Sequence, residues 1–267
     1  MSERGVKALK AEREEVMKVV RSLSAEEWEM PSDCDGWRVQ DVIVHMADVC
    51  RAVVDPGALP PGVPGKTEAT MDARVEARRE WSSEKVLAEY EDLSGRAIEA
   101  LGGLQDSAIG DNVIPLDDLG SYPMHLIANA FAFDHFCHLR NDLLQPNGPL
   151  DRPVPPSDEL RIGATLEWLI AGVPQMSGEA MKTSVTKPIG LKITGPGGGE
   201  WTITPAPHDG LVGVAEGIAS ETAAVVTSPG SEFVIWATQR RPWRERDVKI
   251  EGDEACAASV LDALKLF

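Results

Sequence analysis

The hydrophobic period of this chain changes once, and the change falls behind a proline-rich break. Before the break, apolar residues recur at helical spacing. After it, past one more helical stretch over Asp158 to Met176, short β-branched runs alternate with Gly, Pro and Asp. The break spans residues 146–156, PNGPLDRPVPP, with five prolines in eleven positions, and reads as a linker or a stiff crossover. A chain of 267 residues is long enough for one large domain or two ordinary ones, and this pattern favours two. The expected fold is therefore an α-helical bundle over 1–150, followed by a smaller α+β domain over 151–267.

Within the first part, Ala8 to Leu23 carries Val16, Val19, Val20 and Leu23 on one helical face, and Ser24-Ala25-Glu26-Glu27 resembles a capping box. Further helices are expected over Val39 to Val54, Thr67 to Arg79, Ser83 to Leu104 and Tyr122 to Leu144, with Pro123 in the first turn of the last. The loop 55–65, DPGALPPGVPG, separates two of them. In the second part, a helix over Asp158 to Met176, interrupted by Pro174, precedes strand-like runs at Leu191 to Thr194, Trp201 to Thr204, Leu211 to Ala215 and Thr222 to Thr227. Phe233 to Thr238 reads as a short helix, Val248 to Glu251 as a strand and Ala255 to Leu264 as a closing helix.

Charge narrows the partners. Lys and Arg number 26 against 43 Asp and Glu, a formal charge of −17, which argues against a nucleic-acid surface or a polybasic membrane patch. No apolar run approaches the ~18 residues of a membrane span. The sequence begins in charged, helix-forming residues with no apolar leader, and the four cysteines lie far apart, so a reducing cytoplasm is the expected location.

Histidine placement carries the chemistry. Residues four apart on a helix lie ~40° apart around its axis, so Asp134, His138 and Asp142 form one polar stripe. His125 falls near the opposite side, and His135 is turned ~100° from Asp134, which makes both poorer co-ligands. His45, in the middle of the run DVIVHMADV, can supply a third ligand from a neighbouring helix. Three N/O ligands with an open fourth position suit a catalytic Zn²⁺ site. A surface ion pair for Asp134–His138 and a satisfied core imidazole for His45 are the plainer readings of the same spacing.

The run Trp28-Glu-Met-Pro-Ser32-Asp-Cys-Asp-Gly36-Trp37-Arg-Val-Gln-Asp41-Val-Ile-Val-His45 resembles the entry motif of the mycothiol-dependent maleylpyruvate isomerase family, which belongs to the DinB-like metal-binding four-helix bundles. Phe133-Asp134-His135-Phe-Cys-His138-Leu-Arg140-Asn-Asp142 is similar to that family's second motif. Thr194-Gly-Pro-Gly-Gly-Gly-Glu-Trp201 and Gly252-Asp253 resemble its sterol-carrier-protein-like C-terminal domain. The resemblance implies a divalent metal, zinc or another, on His45, Asp134 and His138, with Asp134 standing where the family pattern has Glu. It implies Asp142 as a residue that orients His138, the alternative being a solvated carboxylate on the helix face. It also implies Arg240 or its neighbour Arg241 as a carboxylate-binding cation, with Gln239-Arg240 in place of a Gly-Arg pair, the alternative being a solvated basic turn balancing Glu245 and Asp247.

The implied activity uses mycothiol as nucleophile. Its thiolate adds to the double bond of a small electrophile, and expulsion after rotation gives cis–trans isomerisation. Retention of the adduct gives thiol S-transfer instead. The partners expected are thus a thiol cofactor and a small-molecule electrophile. A non-catalytic small-molecule-binding protein and a metal-dependent hydrolase are the alternatives on the same fold. Gly195 to Glu200 is expected to be a hairpin turn, Cys137 a packing residue, Ser32 and Ser121 helix caps, and Trp28 and Trp37 packing for the turn between the first two helices.

Overall fold

The computed structural model describes residues 3–207 and 210–267 and folds as two compact units, the first ending at Pro156 and the second running Ser157–Phe267. The first is a bundle of four long helices, α1 (Arg4–Val20), α3 (Val39–Val54), α5 (Ser83–Gly103) and α6 (Ile127–Cys137). α1 packs on α6 and α3 on α5, with α1–α5, α3–α6 and α5–α6 contacts closing the ring. The short helix α2 (Ala25–Trp28) and the peripheral helix α4 (Thr67–Glu76) flank it. The core follows from pattern: Val16, Val19 and Val20 of α1 are buried together, whereas α3 buries Val42, Ile43, Val44, Met46 and Ala47 all around its axis. A helix apolar on every side belongs in the middle of a bundle. Every polar side chain it carries there, His45 included, is drawn inside.

The capping box forms as expected: Ser24 Oγ accepts from the Glu27 N–H at 3.2 Å and the Glu27 carboxylate accepts from the Ser24 N–H at 2.9 Å. α3 starts and stops where its period indicates, held at its start by the Arg38 N–H donating to Asp41 at 2.9 Å.

One helical expectation fails. Tyr122 and Pro123 are not helical but lie in strand β2 (Ser121–Pro123), which pairs antiparallel with β1 (Val113–Pro115). Tyr122 is buried and its hydroxyl donates to the Leu119 carbonyl at 2.6 Å, so tertiary packing overrides the helical pattern here. Ser121 therefore caps no helix. After a short 3₁₀ turn, Met124–Leu126, the chain enters α6 and then widens into a π-helical segment, His138–Leu143. A residue inserted into the helical ladder in this way is typical of functional sites.

The second unit is a five-stranded mixed sheet with helices. Strand order is β5 (Gly213–Glu216), β4 (Gly199–Thr204), β3 (Ile189–Thr194), β6 (Ala224–Pro229), β7 (Lys249–Gly252). Among the described strands of this sheet only β3 and β6 pair in parallel. The Gly-rich run after Thr194 is the turn of the β3–β4 hairpin, with Gly195 at φ +91° and Gly197 at φ +67°, conformations that glycine alone adopts cheaply. α9 (Gly230–Ala237) packs on β3 and β6 and against α7 (Glu159–Gly172), and α10 (Glu254–Ala263) packs on β6 and β7 and against α8 (Gly178–Ser184). α8 has no counterpart in the sequence reading. Its seven residues are too few for a helical period to register.

Candidate metal centre

His45 projects from the middle of α3, Asp134 from the last turn of α6, and His138 from the junction of α6 with the π segment. Their donor atoms converge. His45 Nε2 lies 2.9 Å from Asp134 Oδ1, and His138 Nε2 lies 3.5 Å from the same oxygen. Two ligands on one tetrahedral ion, each about 2.0–2.1 Å from it, stand about 3.4 Å apart. The second spacing matches and the first needs an opening of about 0.5 Å. The two imidazoles meet edge to face, with ring centroids 4.9 Å apart.

Burial sharpens the electrostatics. Taken alone, it would raise the Asp134 carboxyl, but the imidazoles of His45 and His138 more than offset it and hold that carboxyl well below its usual range. Burial would likewise lower His138. The Asp134 charge, with hydrogen bonds to Asp134, Asp142 and Cys34, reverses the sign and holds the imidazole well above its ordinary value. In the metal-free protein this is a buried charge pair.

The donor set fits a divalent ion by a second criterion. Asp134 Oδ2 is buried with no hydrogen-bond partner among the described residues, and a carboxylate that ligates through both oxygens would satisfy it; His45 Nδ1, equally unpartnered, is the nitrogen turned away from the donor cluster. The nearest candidate for Oδ2, His135 Nδ1 at 3.5 Å, directs its own bond to the Phe131 carbonyl at 3.0 Å. Polar atoms left this way are costly unless something else satisfies them. Among the described residues His45, Asp134 and His138 form one of two groups of possible ligands whose donor atoms all lie within 4.8 Å of one another.

Asp142 is brought to the same place. Its Oδ2 accepts from His138 Nδ1 at 2.8 Å, and the side chain is 1% exposed. This bond keeps a proton on Nδ1, so that Nε2, the nitrogen facing Asp134, is the one that would be free to ligate once its own proton is lost. The other histidines on this stretch are spent on backbone: His135 on Phe131, and His125 Nδ1 on the Gly110 carbonyl at 2.9 Å.

Two residues at the centre escaped the sequence reading. The loop between α2 and α3 folds back on itself, with the Ser32 N–H donating to the Trp37 carbonyl at 2.9 Å and Gly36 at φ +74° making the turn. Ser32 accordingly ties this turn, its Oγ donating to the Trp37 carbonyl at 2.9 Å, and caps no helix. The loop is anchored to the π segment by the Asp33 N–H on the Asp142 carbonyl at 3.0 Å. It thereby sets Cys34 Sγ 3.7 Å from His138 Nδ1 and lays the Trp37 indole over His45 (centroids 5.1 Å) and His138 (6.5 Å). Trp28 packs as expected, buried at 5% exposure, but Trp37 covers the imidazoles and its Nε1 donates to Asp72 of α4 at 3.1 Å. Cys34 and Trp37 also line an open cleft of about 510 Å³ formed by Glu29 and residues 31–38. The only available signal was their place in the entry motif. Cys137 is a buried packing residue.

Arg240 belongs to the second unit, just past α9. Its Nη1 donates to Thr238 Oγ1 at 3.0 Å, and Arg241 Nη1 donates to the Arg240 carbonyl at 2.6 Å. Arg244 pairs with Asp262 at 2.5 Å and Arg246 with Glu232 at 2.7 Å.

Known proteins resemble this chain in domain and in fold. Residues 9–139 match the mycothiol maleylpyruvate isomerase N-terminal domain. Among solved structures, a mycothiol-dependent maleylpyruvate isomerase superposes with a TM-score of 0.55 at 16% identity, over 90% of this chain and 89% of that one. A histidine-to-alanine mutant of a mycothiol-dependent maleylpyruvate isomerase gives 0.53 at 14%, over the same shares. No curated protein sequence matches significantly. Residues 9–139 are therefore similar to the mycothiol maleylpyruvate isomerase N-terminal domain, and 90% of the chain shares the fold of the solved mycothiol-dependent maleylpyruvate isomerases.

Proposed function

We propose that this protein is a divalent-metal-dependent enzyme that uses mycothiol as nucleophile, for cis–trans isomerisation of a maleylpyruvate-like substrate or for S-transfer to another small electrophile. The observation that carries the reading is the convergence of His45, Asp134 and His138 into a buried N₂O donor set in a chain that resembles this family. An ion held by those three side chains would supply the positive charge that keeps a thiol ionised near neutral pH. Zinc suits two imidazoles and a carboxylate with one position left for the sulfur.

The chain's own residues prepare that site. Asp142 holds the His138 Nδ1 proton and so aims Nε2 at Asp134. His45 has no equivalent orienting acceptor; its ring is held by the Trp37 indole, which also keeps water off one side of both imidazoles. Asp134 stands on a shorter arm than the Glu of the resemblance, and its 2.9 Å approach to His45 Nε2 supports an arm long enough to share an ion with that imidazole.

Arg240 is our candidate for the cation that binds a substrate carboxylate, since a planar guanidinium grips a carboxylate through two parallel bonds. The left-handed conformation of Gln239, φ +59°, supports the register in which a Gly-Arg pair becomes Gln239-Arg240, because glycine is the residue that adopts this conformation freely. In a chain of charge −17, such a local cation would have to overcome the general field against a dianion. All four cysteines are free thiols, which supports a reducing, cytoplasmic setting. No helix among the described residues is long and apolar enough to cross a membrane.

The test is incubation of zinc-loaded protein with mycothiol and maleylpyruvate, followed by absorbance and mass. Fumarylpyruvate with the thiol recovered marks the isomerase, and a stable thiol adduct marks the transferase. Metal-loaded protein that turns over neither maleylpyruvate nor a panel of epoxide, enone and alkyl-halide electrophiles in the presence of the thiol would refute the proposal.

A further inference from the structure

We propose that Cys34, His138 and Asp142 form a second metal-binding set, on the Nδ1 side of His138, that takes thiophilic ions and competes with the first set for that imidazole. Three different donor types meet there, with all donor atoms within 4.8 Å. Cys34 Sγ stands 3.7 Å from His138 Nδ1. A sulfur at about 2.3 Å and a nitrogen at about 2.0–2.1 Å on one tetrahedral ion stand about 3.6 Å apart, so this pair is already at ligand spacing. Asp142 Oδ2 is 2.8 Å from the same nitrogen and must retreat by about 0.5 Å to share an ion with it.

The set is also reachable. Asp142 is buried and Cys34 half-exposed, and Cys34 lines the open cleft beside Trp37, so an ion can arrive from the sulfur side. The anchoring bond from the Asp33 N–H to the Asp142 carbonyl holds loop and π segment together, which preorganises sulfur against carboxylate. Mixed sulfur, nitrogen and oxygen ligation favours a soft ion over Mg²⁺ or Ca²⁺. On binding, the Cys34 thiol gives its proton to solvent and its sulfur becomes the ligand.

Exclusivity follows from the imidazole. A neutral ring has one lone pair. With Nδ1 protonated and bonded to Asp142, Nε2 serves Asp134 and His45; with Nδ1 on a metal, Nε2 carries the proton and leaves the first set. An excess of a thiophilic ion would therefore draw His138 out of the catalytic set, which makes Cys34 an inhibitory metal sensor at the mouth of the site. The site itself requires only the geometry around Cys34; its inhibitory consequence rests on the function proposed above.

Chelator-stripped protein, reduced and then freed of reductant, is titrated with Cd²⁺ while the ultraviolet thiolate-to-metal absorption is followed. The wild type is expected to develop this band, Cys34→Ser to lose it, and His45→Ala to keep it, since the second set does not use His45. Circular dichroism checks that both variants are folded. Preloading the wild type with Zn²⁺ should shift the Cd²⁺ midpoint of the band upward by tenfold or more. No band in the wild type, a full band in Cys34→Ser, or a midpoint indifferent to Zn²⁺ would overturn the proposal. Failure of the first set reads differently: Zn²⁺ binding would then be unaffected by His45→Ala while the Cd²⁺ band at Cys34 stood.

Discussion

Arg140 lies between His138 and Asp142 in the π segment, and its guanidinium is committed to a buried carboxylate. Nη1 and Nη2 donate to the two oxygens of Glu12 at 2.7 and 3.0 Å, the side chains being 5% and 0% exposed, and Nη2 also donates to the Pro156 carbonyl at 3.1 Å. The guanidinium also stands 4.0 Å above the Phe136 ring. Replacing Arg140 by Met keeps most of the packing volume but leaves the Glu12 carboxylate buried and unpaired. That costs about 3–5 kcal/mol. At about 2–4 °C per kcal/mol for a domain of this size, Tm falls by about 6–20 °C. Replacing Glu12 by Leu as well removes the stranded charge, and the double variant recovers most of the loss. Thermal unfolding followed by circular dichroism, run as a double-mutant cycle, measures the coupling. A loss below about 1 kcal/mol for Arg140→Met, or a double variant as unstable as the sum of the singles, would refute the assignment of this pair as the clamp on the π segment.

Other outcomes follow from the same geometry. Asp142→Ala should weaken zinc binding about 10–100-fold, the usual cost of losing the group that orients a ligating histidine, with Asp142→Asn intermediate; competition with a chromogenic chelator reads it. Metal uptake should release protons and tighten as pH rises, and should continue to tighten above the ordinary imidazole value near 6.5, because His138 is held above it in the metal-free state and must lose its proton. Affinity independent of pH between 6 and 8 would contradict that. In the metal-free protein the raised His138 contributes stability that is complete below about 6.5 and lost as pH rises through its folded value. The depressed Asp134 contributes stability above about 3.9 that is lost as pH falls through its own. Ser24→Ala removes the acceptor that caps α2 and should cost about 1 kcal/mol in chemical denaturation.

Periodicity served the sequence reading where packing agrees with it. α3 is bounded by Val39 and Val54 as its apolar pattern indicates, and the strands of the second unit fall within two residues of their β-branched runs. The spacing of Asp134 and His138 foretold that they would be neighbours, and the resemblance pointed to His45 as the third. Where tertiary contacts decide, the pattern misled. Tyr122 belongs by its apolar spacing to α6, yet it pairs opposite Ile114 in a hairpin too short to carry an alternation. The π segment was invisible because one residue of helical insertion changes no residue type. Cys34 and Trp37 were hidden for a different reason. They reach His138 and His45 through a loop whose course is set by Gly36, Ser32 and the Asp33–Asp142 backbone bond, and no helical or strand period extends across such a loop.

Metal analysis of protein purified without chelator tests the central claim most directly. The wild type should carry about one divalent ion per chain, and His45→Ala, which removes one of the three donors while leaving the Arg140 clamp intact, should lose it. A wild-type protein without stoichiometric metal, or one whose metal content is unchanged by His45→Ala, would contradict the account.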